Sequence, residues 1–401
     1  VRAEVAEFEH WQDLQADFDA ADSREELVGA LRRARSRVMV RVAVADLAGE
    51  IGTRQATRLL SALADEVLQH AVRFELSLSA GGARLEQADQ PPRGLAVIAL
   101  GKLGGRDIGY GSDLDVLFVY DPEAVPDGHD AAHFYSRTAQ RVIRLISAPH
   151  ASGPGYELDT RLRPSGSQGL LVTNVAAFAR YHRVNLEERP DEPPRSSVVT
   201  SGAAWERQAL LRARFCAGDV ELGKRLLEVA EVAAYEAGPP EVSELHRLRM
   251  RMQNELADER GGRRDLKMGR GGLLDVEFAV QWLQMKYGRD RSLRTPDTLL
   301  ALSALERGGY LSREAFKLLK EAYRFLRRLE QRIHVRRGTS STTLDPSTAE
   351  IEQLARRMGF RSAGSSASGV RPQASEQLLA EYERVTEQVR RTYLSVLGVE
   401  E

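Results

Sequence analysis

The 401-residue sequence predicts an α+β fold, with a small sheet-bearing core between helical flanks. Three observations carry this: apolar residues recur at helical intervals over the first ninety positions, short apolar runs replace them between 94 and 173, and helical spacing returns from Trp205 onward. These changes predict a helical lead-in at 1–90, a core at 91–236 and a helical bundle at 237–401.

Ser23 and Glu26 form a capping box before an apolar-periodic run from Leu27 to Leu47. Gly49 and Gly52 break that run. Thr53 can cap the next helix, whose stripe is Leu59, Leu60, Leu63, Val67 and Leu68. Gln87 to Arg93, with Pro91 and Pro92, reads as a linker. Gly94–Leu100 is a nearly all-apolar run that suits a buried strand, followed by a glycine-rich loop from Gly101 to Gly111. Ser112–Tyr120 reads as a second strand and His133–Ile146 as a helix. Gly155–Arg163 alternates like a third strand, and Gly169–Thr173 extends the sheet. A surface insertion is expected at 189–202, then helices at 205–216, 221–236, 241–260, 273–287, 296–308, 312–337 and 376–397. The stretch 363–375 is rich in Ser, Gly and Pro and predicts a loop.

Composition narrows the function classes. Lys and Arg number 57 against 58 Asp and Glu, a net charge of −1, which argues against a globally basic nucleic-acid binder. A lone Cys216 excludes a disulfide framework and a cysteine zinc site, and fits a cytoplasmic protein. No run approaches the eighteen or so apolar residues of a membrane span, and no signal-peptide pattern is seen. The first residue is Val1, so an excised piece of a longer chain is expected. Only 6 of the basic residues are lysine, which draws attention to Lys102 in the glycine loop.

The chemistry is concentrated between Gly101 and Arg163. Asp113 and Asp115 stand two apart at the mouth of a strand, where adjacent carboxylates repel unless a cation lies between them. Mg²⁺ takes oxygen ligands of this kind and shares them with nucleotide phosphates. Gly111 and Ser112, immediately before the pair, can bring backbone N–H groups and a hydroxyl against a phosphate. Asp159, on the alternating strand, would complete a two-metal site for nucleotidyl transfer. Arg161 and Arg163 share its predicted face and either neutralise phosphate or brace Asp159. The Asp-x-Asp pair alone also fits strand-edge acids paired with arginines. The glycine loop and the Asp159 strand make the combination specific.

Gly101-Lys102-Leu103-Gly104-Gly105, Gly111-Ser112-Asp113-Leu114-Asp115 and Asp159-Thr160-Arg161-Leu162-Arg163-Pro164 together resemble glutamine synthetase adenylyltransferase. The similarity continues through Trp205-Glu206, Ala209 to Arg214, Asp265-Leu266-Lys267, Gly271-Gly272 and Asp275-Val276-Glu277-Phe278. The resemblance implies a polymerase-β-like nucleotidyltransferase core and one of two tandem catalytic units of a chain about twice this length. One family unit attaches AMP from ATP to a tyrosine of glutamine synthetase; the other removes it by phosphorolysis. Arg163-Pro164-Ser165-Gly166, Gly169 to Thr173 and the lead-in Ser23 to Gly49 are more similar to the adenylylating unit. By this resemblance Asp113 and Asp115 hold Mg²⁺ on ATP, Asp159 completes a second position and helps deprotonate the tyrosine, and Gly111 and Ser112 contact the leaving pyrophosphate. Lys102, Arg161 and Arg163 join the nucleotide site. Glutamine synthetase is the implied partner, with glutamine and the PII signal protein as regulators of the full-length protein. A catalytically silent docking module is the rival from another class.

Two other features are given plain readings. His129 and His133 stand at i,i+4 but lack a third ligand, so they read as the exposed start of a helix. The basic run at 324–337 interleaves acids and apolar residues, which predicts a solvated helix face or a partner-protein surface.

Overall fold

The capping box at Ser23 nucleates its helix as expected. The structure, a computed structural model, describes residues 11–79, 92–185, 204–337, 342–347, 350–361 and 373–400. The insertion at 189–202, and most of the 87–93 linker and the 363–375 loop, lie outside the described residues. The chain divides into two units: Val1–Ala237 with Thr295–Asp297, and Gly238–Arg294 with Thr298–Glu401. Among the described residues no helix is long and apolar enough to cross a membrane.

Unit 1 opens with α1 (Trp11–Asp19), α2 (Arg24–Ala48) and α3 (Thr53–Ser79). The Ser23 Oγ accepts from Glu26 N–H at 3.2 Å while Glu26 Oε2 accepts from Ser23 N–H at 3.2 Å, so both halves of the box form. Gly49, at φ 79°, ends α2 in the left-handed conformation.

The sheet follows, with β1 (Leu95–Ala99), a helical turn α4 (Gly101–Gly104), β2 (Leu114–Tyr120), α5 (Ala131–Ser147), β3 (Leu158–Asp159), β4 (Val172–Thr173), α6 (Val175–Tyr181), α7 (Ala204–Leu210), β5 (Arg214–Gly218) and α8 (Val220–Glu231). The spatial order is β3-β2-β1-β5, with β4 also on β2. β1 runs antiparallel to both β2 and β5, and β2 runs parallel to β3 and β4. Every residue of β1 is buried, as its apolar run requires.

Three expectations change here. The helix expected over 205–216 stops at Leu210, and residues 214–218 form β5. Buried β1 would otherwise leave the backbone groups of its second edge without partners, which outweighs local helical spacing. The strand expected over 155–163 shrinks to Leu158–Asp159. Beyond Asp115, β4 occupies the same edge of β2, pairing Phe118 with Val172 and Val119 with Thr173, so the chain after Asp159 has to turn away. Arg161 and Arg163 therefore sit on a turn, not on the strand face of Asp159. Finally, the glycine loop begins as the helical turn α4.

Unit 2 contains α9 (Val242–Leu256), β6 (Arg264–Asp265), α10 (Leu273–Tyr287), α11 (Thr298–Arg307), α12 (Arg313–Arg337), β7 (Thr343–Leu344), α13 (Ile351–Met358) and α14 (Ala374–Leu397). Its core is Leu, Val and aromatic residues from α10 to α14 around Phe278, Leu302, Leu326 and Val389. The short β6–β7 ladder adds antiparallel pairing to a region read as wholly helical. The basic run on α12 is also not uniformly solvated. Arg327 and Arg332 are buried, and Arg327 pairs with buried Glu330.

Candidate active site

Parallel pairing of β2 with β3 sets Asp115 directly opposite Asp159. Neighbouring strands lie about 4.8 Å apart and facing residues project to one side, so these two carboxylates share one patch. Asp113 is exposed, two residues earlier at the mouth of β2. The folding reason is the apolar stretch Val116 to Val119, which buries itself between β1, β3 and β4 and leaves the polar start of the strand at the sheet's rim.

Asp115 rests against the start of α4. A Cβ on Gly101 would lie 2.0 Å from Asp115 Oδ2, and Gly101 has φ +48°. No side chain fits there without displacing the carboxylate. Leu100 N–H donates to the Asp115 carbonyl at 2.9 Å, tying strand and turn together. On its other side, α4 is clamped by Arg214, which donates to the Leu103 carbonyl at 3.0 Å and the Gly104 carbonyl at 3.2 Å. Asp65 on α3 holds that guanidinium with two bonds of 2.8 and 2.9 Å. Gly101, Arg214 and Asp65 are thus positioning residues that spacing along the sequence does not expose. Gly101 and Arg214 carried a signal as members of the quoted motifs, Gly101 in the glycine segment and Arg214 at the end of Ala209 to Arg214; Asp65 carried none.

The segment between α4 and β2 is pinned. Ile108 is buried, and Tyr110 is buried with its hydroxyl 3.4 Å from Asp46 Oδ2 on α2. Ser112 is buried; its Oγ accepts from Gly109 N–H at 2.9 Å and its own N–H donates to the Gly109 carbonyl at 3.2 Å. These bonds give Ser112 a loop-bracing role beside the phosphate contact expected of it. Gly111 has φ +74°, a left-handed bend that glycine accommodates. Lys102 lies on α4, half-buried, next to Gly101 at the Asp115 contact and outside any extended loop.

Asp159 is drawn onto Arg161. The Arg161 N–H donates to Oδ1 at 2.8 Å, its Nε to Oδ2 at 2.8 Å, and its Nη2 also reaches Oδ2. These bonds hold the Asp159 carboxyl below its usual titration range. They also raise the Arg161 guanidinium, with Asp113 and Asp115 adding to the effect, so all three carboxylates act on one cation. Arg163 does different work: its guanidinium donates to the Thr160 carbonyl at 2.7 Å and to those of Ser167 and Gly169 at 3.3 Å, closing the turn after β3. The donor set is oxygen only, as a hard divalent ion prefers. Among the described residues no three His, Cys, Asp or Glu side chains converge into a ready metal cluster, with Asp159 engaged by Arg161.

Three further acids of the sequence motifs, Asp265, Asp275 and Glu277, lie in unit 2 and are engaged by protein donors. Asp275 is fully buried between Arg249 at 2.6 Å and Arg390 at 3.1 Å, and accepts from Gly271 N–H at 2.9 Å. Asp265 Oδ1 accepts from the N–H groups of Lys267 and Met268, both at 2.9 Å. Glu277 accepts from the Tyr323 hydroxyl at 3.4 Å.

Comparison with known proteins places these features. A family model described as glutamate–ammonia ligase adenylyltransferase matches residues 3–229, and one described as GlnD PII-uridylyltransferase matches residues 244–397. Curated relatives include bifunctional glutamine synthetase adenylyltransferase/adenylyl-removing enzymes of several bacteria. The Nitrosococcus oceani protein is 35% identical over 81% of this chain and 33% of its own length. The Corynebacterium diphtheriae protein is 33% identical over 92% of this chain and 33% of its own length. The Streptomyces avermitilis protein is 33% identical over 94% of this chain and 36% of its own length. The chain thus covers about a third of the curated relatives it matches. With the model match spanning both the glycine turn and the acidic strand mouth, the chain belongs to the glutamate–ammonia ligase adenylyltransferase family of nucleotidyltransferases.

Proposed function

We propose that unit 1 is a polymerase-β-like nucleotidyltransferase core that transfers AMP from ATP to a tyrosine hydroxyl of glutamine synthetase, releasing pyrophosphate. The observation that carries this reading is the register pair Asp115–Asp159 with Asp113 two residues ahead. Asp113, Asp115 and Asp159 would hold Mg²⁺, which when bound supplies charge neutralisation on the phosphates of ATP.

The protein's own groups do the rest. Gly111 and Ser112 receive phosphate oxygens at the strand mouth, and Lys102 and Arg161 offset their charge. Arg163 shapes the turn. Pairing with Arg161 keeps Asp159 ionised but lowers its basicity; a phosphate that draws Arg161 away raises it again. Asp159 then takes the tyrosine proton as the hydroxyl oxygen bonds to the α-phosphorus and the bond to pyrophosphate breaks. Glutamine and PII are read as regulators of the longer protein, a reading supported by the similarity of residues 244–397 to the PII-uridylyltransferase model.

The test is to mix the chain with unmodified glutamine synthetase, Mg²⁺ and ATP labelled in the adenylate. Label entering the synthetase, and lost with Asp113→Asn or Asp115→Asn, is the expected result. ADP release from adenylylated synthetase and phosphate, without label incorporation, would assign the adenylyl-removing activity instead. Neither activity would leave a docking role.

A further inference from the structure

His129 and His133 line a cavity of about 310 Å³ in unit 1. Asp130 between them is the N-cap of α5, accepting from His133 N–H at 2.8 Å, and is the one carboxylate of the lining among the described residues. The remaining charged lining is cationic: Arg24 from α2, and Arg137 and Arg141 from α5. Three arginines outnumber the acids Asp130 and Glu75, so these surroundings favour an anion over a metal ion.

The guanidinium groups are prearranged. Arg24 donates to both oxygens of Glu75 on α3, at 2.7 and 2.8 Å, and Arg141 donates to Glu75 Oε2 at 3.1 Å. Arg141 is further fixed by the hydroxyls of Ser79 and Thr138. The Glu75 side chain is 0% exposed, so one carboxylate deep in the wall orients two arginines. Arg137 is exposed and meets no carboxylate among the described residues. Leu78 and Phe134 supply an apolar side to the same cavity.

We infer that this cavity binds a small phosphate ester. The Arg137 fork matches the phosphate oxygens, Arg24 and Arg141 add charge and their remaining N–H groups, the histidines add donors, and the organic part of the ligand lies on Leu78 and Phe134. The site is separate from the acidic one. β2 runs seven residues away from Asp113 before the chain reaches α5, so the cavity sits at the opposite end of the strand.

The experiment is isothermal titration of the full chain carrying Asp113→Asn and Asp115→Asn, in 150 mM NaCl, roughly physiological ionic strength. Phenyl phosphate, inorganic phosphate and succinate are the probes. Phenyl phosphate is expected to bind one site, more tightly than inorganic phosphate or succinate, and to weaken about tenfold or more with Arg137→Gln and with His133→Gln. Both residues are exposed, and unchanged melting curves would show that the variants fold. Absence of saturable binding, or binding untouched by both substitutions, would overturn the site. Equal affinity for inorganic phosphate would overturn the ester assignment, and tighter binding of succinate would replace phosphate with a dicarboxylate.

Discussion

At Gly101 the limit on side-chain size is set by a carboxylate. Gly101→Ala would place a methyl 2.0 Å from Asp115 Oδ2 on a backbone already at φ +48°. The left-handed conformation alone costs an L-residue about 1–2 kcal/mol, and the methyl must push Asp115 aside. A displacement near 1 Å at a reacting centre costs on the order of 100-fold. We expect Gly101→Ala to lower the proposed adenylyl transfer by about that factor and the melting temperature by only a few degrees, measured by label incorporation and circular dichroism. Arg161 supports a second prediction. Because its bonds lower the Asp159 pKa, Arg161→Gln should move the Asp159 titration upward, towards the ordinary carboxylate range, as seen by carboxyl carbon NMR. In the native protein the stabilisation from this pair is complete above the unfolded carboxyl pKa, and is lost as pH falls through the lowered folded value. Arg161 is 78% exposed, so the effect on overall stability is small.

The elements are joined by buried arginines as much as by apolar packing. Arg32 on α2 is fully buried and donates to the carbonyls of Leu145 and Ala148 at 2.9 and 2.8 Å, where α5 ends. Burial pushes its guanidinium down to about 10, still a cation at neutral pH. Arg35, one turn along, donates to the Pro154 carbonyl at 3.2 Å and lies over the Tyr156 ring at 4.6 Å. The lead-in helix thus holds the segment that delivers Asp159 to β2. Arg32→Lys keeps the charge but loses the fork, leaving carbonyls underserved. We expect a loss of about 1–3 kcal/mol in urea unfolding followed by far-UV circular dichroism. The helices α2 and α10 were legible because caps and apolar spacing are local signals. β5 was not, because a five-residue run such as Arg214–Gly218 becomes a strand only when the buried second edge of β1 needs a partner.

For the molecule as a whole, each unit has its own buried charge centre. In unit 2, Asp275 bonds Arg249 on α9 and Arg390 on α14. Removing one member of a buried ion group leaves charge uncompensated, at a cost of about 3–5 kcal/mol. Asp275→Asn should therefore speed amide exchange in α10 and α14, read by hydrogen–deuterium exchange, while β1 and β2 of unit 1 keep their protection. This separates the acids of the family motifs: Asp275 sustains a fold, whereas Asp113 stays exposed where chemistry can reach it.

By itself the sequence determined the α+β class, the capped helices, the two apolar strands, and the Asp-x-Asp pair behind a glycine segment. All are written in contiguous residues, where propensity and periodicity act over a few positions. Only the tertiary structure decided that Asp159 stands opposite Asp115, that its strand ends there, and that Arg161 folds back onto it while Arg163 closes the turn. Those outcomes depend on β4 competing with β3 for one edge of β2, a contest between segments more than forty residues from their partners on that edge, in which backbone hydrogen bonding outweighs local alternation.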